Sequence, residues 1–323
     1  MKPRPRGAAF FVPGPGPAPF ARPDPRAGRF PSIWPMPNPA RSIDCSRQSS
    51  PHAGSKPLCP TPGWRVWAVF TDLLAATDAY RSASQIARIA TEQWAAECMF
   101  CPGCGCAPLS RFAANRPVAD FFCASCGEQY ELKSSKSPFG RTLANGAYAK
   151  KLERLESDSS PNLLLLQYDP LLRLVVNLTA VPKRFFTHSI IEKRRPLSAH
   201  ARRAGWVGSN IHLHLVPSIG RIQVIANGVV VNRDEILDRW SRTAFIEDAA
   251  PSARGWVVDV LACVEKIDTE VFGLGDLYSF EDHLQSLYPS NRNVRPKIRQ
   301  QLQVLRENGL LEFLGRGRYR KLL

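Results

Sequence analysis

Three side chains carry the most specific chemistry in this sequence. Asp120 precedes Phe121-Phe122, and Glu131-Leu132-Lys133 follows ten residues later. In a strand, residues i and i+2 share a face, so Glu131 and Lys133 point together while Leu132 faces the core. A hairpin joining the two runs sets Asp120 across from that pair. Two carboxylates on one face suit Mg²⁺, which prefers oxygen ligands and keeps several waters. Such a metal activates a water and neutralises charge growing on a phosphate, and a neighbouring lysine orients or deprotonates the water. The chemistry is phosphodiester hydrolysis. The competing reading of D-x10-ExK is a solvated strand face, because charges alternate on many exposed strands.

The turn of that hairpin contains half of a second pattern. Cys101-Pro-Gly-Cys104 and Cys123-Ala-Ser-Cys126 are separated by 18 residues, within the range for a tetrahedral four-thiolate Zn²⁺ site. Four thiolates leave no open coordination position, so this zinc is expected to be structural and to hold the register of the hairpin. Cys98 and Cys106 are left as spare thiols. Nine cysteines, an odd number with local CxxC pairs, point to metal and away from a disulfide framework.

Several elements must position these groups. Residues 71–97 read as an amphipathic helix, with strands at Val118–Phe122 and Gln129–Leu132. Residues 142–157 read as a helix stopped by Pro161. Strands follow at Asn162–Tyr168 and Leu171–Leu178, turning at Asp169-Pro170. Helices and strands alternating in this way form an α/β unit. From about Ser252 the pattern changes to helices at Trp256–Val264, Leu274–Leu287 and Asn293–Asn308. Two short strands about Gly315-Arg316-Gly317 follow. Three helices and a hairpin make a winged helix, with enough length to fold by itself.

Charge supports a polyanionic partner. Net charge is 43 − 28 = +15; residues 1–63 contribute 9 − 2 = +7, residues 290–323 another 9 − 2 = +7, and the rest +1. A basic segment ending a globular chain is a footprint for phosphate. Val294, Ile298, Leu302 and Leu305 form a buried stripe on the last helix. Arg299, Gln300 and Gln303 fall opposite, with Arg295, Lys297 and Arg306 beside them, as a major-groove helix requires. The alternative is an ordinary surface helix rich in Arg and Gln. Arg316, Arg318 and Arg320 suit phosphates. Trp206 beside Arg202 and Arg203 suits stacking or wedging, and equally suits a core position. Residues 1–63 hold 16 of the 28 prolines and are expected to be disordered. No secretion signal or membrane span is apparent, so a cytoplasmic chain is expected.

From about residue 72 onward the chain resembles the DpnI-type methyl-directed (type IIM) restriction endonucleases. The likeness rests on Arg116-Pro-Val-Ala-Asp-Phe-Phe-Cys-Ala-Ser-Cys-Gly-Glu-Gln-Tyr-Glu-Leu-Lys133, Cys101-Pro-Gly-Cys104, Asn145-Gly-Ala-Tyr148, Arg202-Arg-Ala-Gly-Trp206, Ser252-Ala-Arg-Gly-Trp256, Ile298-Arg-Gln-Gln-Leu-Gln-Val-Leu-Arg306 and Gly315-Arg-Gly-Arg-Tyr-Arg-Lys321. The resemblance implies a restriction-endonuclease-like PD-(D/E)xK core over residues 64–250 and a winged helix over 251–323. It implies Mg²⁺-dependent cleavage of double-stranded DNA at 5′-GATC-3′ when adenine carries an N6-methyl group. Its catalytic motif falls on Asp120, Glu131 and Lys133, and its zinc ligands on Cys101, Cys104, Cys123 and Cys126. A monomer is expected. Two other readings remain at this point: a non-catalytic zinc-ribbon and winged-helix regulator, which would have no use for the Asp-Glu-Lys triplet, and a related nuclease with another sequence or methylation preference.

Overall fold

A computed structural model describes residues 82–113, 119–172 and 174–323. The expected disorder of residues 1–63, the first part of the expected helix 71–97 and Val118 lie outside them. All described residues fall in one compact unit. Helix α1 (Ala83–Cys98) buries Ala90, Trp94 and Ala95 and also Thr91 and Glu92. Among the described residues no helix is long and apolar enough to cross a membrane.

The central sheet has seven strands in the order β1 (Ser110–Arg111), β2 (Phe121–Phe122), β3 (Gln129–Ser135), β5 (Asn162–Asp169), β6 (Leu174–Val181), β9 (Ile222–Ala226) and β10 (Val229–Val230). Only the β3–β5 pair is parallel. The centre of strand β5 is four consecutive leucines, Leu163–Leu166, as suits a strand covered on both faces. Leu163 and Leu165 enter one core, Leu164 and Leu166 the other. At its end the Asp169 carboxylate accepts from the amides of Leu171 and Leu172 at 2.7 and 2.9 Å, the local turn that the Asp-Pro pair foretells.

Residues 142–157 are not one helix. Thr142–Ala147 is strand β4, antiparallel to β8 (Gly208–His212), which pairs in turn with β7 (Ile191–Lys193). Helix α2 covers only Tyr148–Glu156. Asn145 and Gly146 are poor helix formers, and the ladder is irregular between Asn145 and Ala147. The strand's partner lies some sixty residues downstream, so local periodicity could not reveal it.

The four cysteines of the two CxxC pairs meet, with all their sulfurs within 4.8 Å of one another. Each pair is followed by a glycine at positive φ, Gly105 at 78° and Gly127 at 79°. Their amides return to the carbonyls of Cys101 and Cys123 at 2.7 and 2.9 Å. A side chain would strain either turn. The Tyr130 hydroxyl lies 3.0 Å from Cys101 Sγ. Hydrogen bonding from Cys126 is the main influence holding Cys101 toward the thiolate. This closed, soft donor set could hold zinc. Cys98 stands apart from the cluster, and Cys106 is not a spare thiol, because it is disulfide-bonded.

Beyond helices α3 (Arg233–Ser241) and α4 (Phe245–Asp248), the C-terminal part comprises α5 (Pro251–Lys266), β11 (Val271–Gly273), α6 (Leu274–Tyr278), α7 (Glu281–Leu287), α8 (Val294–Glu307), β12 (Leu311–Gly315) and β13 (Arg318–Lys321). It is a winged helix with a third strand, β11, beside β13. The expected helix Leu274–Leu287 is two helices, parted at Ser279-Phe280.

Helix α5 is buried from Arg254 to Leu261 without a break. A helix apolar on all sides is packed on all sides. Its apolar residues share one cluster with Val181, Phe185, Phe186 and Ile190 on one side and Leu302 and Leu305 on the other. Polar contacts repeat the bond. Arg254 donates to Asp158 at 2.6 Å and to the carbonyls of Ile246, Glu247 and Ala249. Asp259 accepts from Ser189 and Tyr288, both at 2.6 Å. Glu265 accepts from the amide and hydroxyl of Ser218.

This shared core changes what an isolated winged helix should do. A fragment of residues 252–323 exposes one flank of α5 and should melt well below the intact chain. Arg254→Ala in the intact chain should cost about 3 kcal/mol, because three carbonyls and a carboxylate lose their donor. Denaturant titration checks both, and an Arg254→Ala midpoint equal to wild type would refute the second. Metal analysis should find one zinc per chain, and Cys123→Ser should lose it together with cooperative unfolding.

Candidate active site

Strand β2 brings Asp120 to the edge of β3. Phe121 pairs with Tyr130, and the Asp120 amide donates to the Tyr130 carbonyl at 2.9 Å. The ladder then ends, and the Asp120 side chain takes the place of the next backbone acceptor. Its Oδ2 receives the Leu132 amide at 2.8 Å. That bond fixes the carboxylate beside the Glu131–Lys133 face, where Glu131 Oε1 and Lys133 Nζ are 2.7 Å apart. Leu132 packs into the opposite core. All three lie in a cleft of about 1120 Å³ between α1 and α2.

The cleft holds more charge than the triplet. Glu92 on α1 is 6% exposed and is gripped by Arg88 at 2.5 Å and by Arg111. Burial raises the Asp120 carboxyl above its ordinary range; Glu92 and Glu131 add to this, against the Leu132 amide and Lys133. A cation between Asp120 and Glu131 would reverse that shift. This donor set therefore fits a hard divalent ion. Lys151 on α2 is 6% exposed, and burial pushes its ammonium down to about 8. Its Nζ lies 4.5 Å from the centroid of the Phe186 ring. Glu128, at the rim, is paired with Lys183 at 3.2 Å and receives the Asn162 amide at 2.6 Å.

Glu92, Lys151 and the cleft residues Asn145 and Ser160 were not singled out by the sequence. A faint signal existed for two of them. Glu92 interrupts the apolar stripe of α1, and Lys151 shares the buried face of α2 with Leu155. Asn145 opens one of the runs that carry the family resemblance, which gives it no role, and nothing in the sequence marks Ser160.

The other candidates sit outside the cleft lining. Arg202 and Arg203 are exposed in the loop between β7 and β8, and Trp206 is half-buried with the Arg203 guanidinium 4.9 Å from the centre of its ring. This loop is tied to the cleft, because the Tyr148 amide donates to Val207 and Ser209 Oγ donates to the Gly146 carbonyl. On α8, Val294, Ile298, Leu302 and Leu305 are buried. Arg299 is exposed and donates to the Tyr278 hydroxyl at 2.9 Å; Arg295 pairs with Glu281 at 2.7 Å. Lys297 bonds to Gln300, and Gln303 to Glu307. Arg316 and Arg318 are exposed on the wing, with Arg316 at φ 49° between two glycines also at positive φ. Arg320 is engaged by Glu312 at 2.7 Å and Glu270 at 3.7 Å.

Two family matches divide the chain where its architecture changes. Residues 252–321 match the Dam-replacing HTH domain, the C-terminal DpnI module. Residues 70–249, more than half of the chain, match the DpnI family, described as the Dam-replacing family. The chain belongs to the DpnI (Dam-replacing) family and carries that family's helix-turn-helix domain at its C-terminal end.

Proposed function

We propose that this chain is a methyl-directed restriction endonuclease that cleaves double-stranded DNA with Mg²⁺ at 5′-GATC-3′ sites bearing N6-methyladenine. Residues 64–250 form its PD-(D/E)xK catalytic unit, and 251–323 its DNA-binding unit. The observation that carries the reading is the bond from the Leu132 amide to Asp120, which sets two carboxylates and a lysine on one face of a cleft lined by charges of both signs. Asp120 and Glu131 would hold the ion. When bound, Mg²⁺ supplies an acidified water and neutralises phosphate charge. Lys133, already beside Glu131, orients that water or meets the charge on phosphorus. The zinc cluster takes no part in the reaction and fixes the hairpin.

Base reading belongs to α8 and phosphate contact to the wing. Arg299 is exposed, held at one nitrogen by the Tyr278 hydroxyl, and its guanidinium suits guanine O6 and N7. N6-methylation puts a methyl in the major groove. Burying it is worth only about 0.8 kcal/mol, under a factor of about five. An acceptor-free pocket adds about 1–3 kcal/mol by stranding the N–H of unmethylated adenine. Trp206, partly exposed near the cleft, is the catalytic unit's candidate for testing the base.

Plasmid carrying N6-methyladenine should be cut in Mg²⁺ and unmethylated plasmid spared, with end mapping placing the breaks at GATC. Equal cutting of both would sink methyl direction. Asp120→Ala and Lys133→Ala should each lose at least about a hundredfold in cleavage rate while keeping DNA affinity and zinc. Arg299→Ala should relax discrimination at one base pair by about 1–3 kcal/mol. Arg318→Ala should weaken all sequences alike and flatten the salt dependence by about one charge. Competition binding across single-base variants separates the two, and a uniform loss in Arg299→Ala would remove it from base reading.

A further inference from the structure

Buried donors in the cleft have no acceptor of their own. Ser160 is 7% exposed, its Oγ has no hydrogen-bond partner, and it lines the cleft. Asn145 Nδ2 is likewise buried, without a partner, and in the same cleft. The other end of that amide is committed, since Asn145 Oδ1 accepts from the Gly146 amide at 2.7 Å. The nitrogen is thereby held where it is. Lys151 is 6% exposed, yet no described carboxylate pairs with it, because Glu131 is taken by Lys133. Its ammonium lies over the ring of Phe186, and Glu131 supports its charge through space without forming an ion pair with it.

Each of these groups is costly to the fold. A buried hydroxyl or amide without a partner, or a buried ammonium without a counterion, has lost water and received nothing in return. Three such donors in one cleft share one chemical demand, for anionic oxygen. They are strung along one helix. Asn145 lies just before α2, Lys151 on its buried face and Ser160 just after it. A helix of nine residues is about 13 Å long at 1.5 Å per residue, so the row reaches past a single phosphate group. Lys150, Arg154 and Lys183 line the same cleft together with Glu153 and Asp158, and Lys150 and Lys183 are paired with Glu153 and Glu128.

We propose that Asn145, Lys151 and Ser160 form a preformed track for successive phosphates of the DNA strand held in the cleft, with Lys151 taking the phosphate nearest Glu131 and Lys133. The inference rests on the nuclease reading and adds to it the residues that seat the strand. They are positioning residues. They take up backbone oxygens and carry no sequence information.

The test exploits the cost of these groups. Lys151→Met and Ser160→Ala remove unsatisfied buried donors, so each should melt at or above the wild-type temperature. Each should nevertheless bind methylated duplex more weakly in buffer without added magnesium, Lys151→Met by roughly tenfold or more. The slope of log affinity against log salt should also fall by about 0.9 for Lys151→Met. Asn145→Asp, which sets a negative charge against the strand, should bind worst of the three. Full affinity and an unchanged salt slope in Lys151→Met would overturn the track. So would lost affinity that appears only with a lowered melting temperature, because the side chain would then be structural. The two readings fail separately. Wild-type protein that binds methylated duplex but never cuts it in Mg²⁺ would end the nuclease reading, whereas Lys151→Met that binds like wild type would end this one.

Discussion

The Leu132 amide's hydrogen bond to Asp120 is the constraint on which the site depends. Strand β2 is only two residues long and could not hold a charged side chain in place by itself. Two things make it rigid. The thiolate cluster closes the turn below it, and Tyr130, fully buried in β3, reaches Cys101 with its hydroxyl. The metal-binding knuckles, the hairpin register and the carboxylate position form one mechanical series. Zinc has no open coordination place in such a set and acts only through geometry. Loss of any thiol should therefore reach Asp120 as a shift in register, with no change in the identity of the reacting groups.

The charges around that hairpin are held against their own solvation. Asp120, Glu92 and Lys151 all sit in a space from which water is partly excluded, and burial is the largest influence on both Asp120 and Lys151. Glu92 is offset by two arginines, which makes it part of the wall. Asp120 keeps one carboxylate oxygen without a backbone donor, and Lys151 forms no ion pair among the described residues, with Glu131 supporting its charge only through space. In a low-dielectric cleft these uncompensated groups interact strongly with whatever carries the opposite charge. A divalent cation and a phosphate together satisfy both. Preorganisation of this kind trades fold stability for interactions that need no rearrangement when substrate arrives.

The sequence was most legible where chemistry and spacing coincide. The CxxC pairs, the Asp120 and Glu131–Lys133 alternation and the Val294, Ile298, Leu302 and Leu305 stripe are local patterns with short-range physical causes. Their positions in the structure follow directly. Strand β5 was legible because four consecutive leucines, Leu163–Leu166, bounded by Pro161 and Asp169-Pro170, have few other homes. Strand β4 was not. Its identity comes from pairing with Gly208–His212, a tertiary partner that overrides the helical periodicity of Leu143 and Ala147. Lys151 was hidden for a related reason. On sequence it is one lysine of a Lys-Lys pair on a polar helix, and only the packing of α2 over Phe186 buries it. Asn145 and Ser160 are common polar residues whose significance is an absence of partners, which composition cannot record.

The same distinction explains why the winged helix is less separate than its motif suggests. Helix, helix, helix and hairpin is a self-contained pattern, but α5 is buried on every side, and a small domain alone can cover only part of it. The N-terminal part of the chain covers the rest. Arg254 bonds to Asp158, two residues before Ser160 at the cleft, and to the Glu247 carbonyl, while Arg184 of the catalytic unit holds the Glu247 side chain at 2.9 Å. The segment 240–249 is thus gripped from both sides. Strain imposed on α5 by DNA on the recognition helix would reach the end of α2 through a buried guanidinium, without passing through a flexible linker. A rigid connection of this sort favours a single docking geometry, and on the function proposed above it would couple contact at α8 to contact in the cleft.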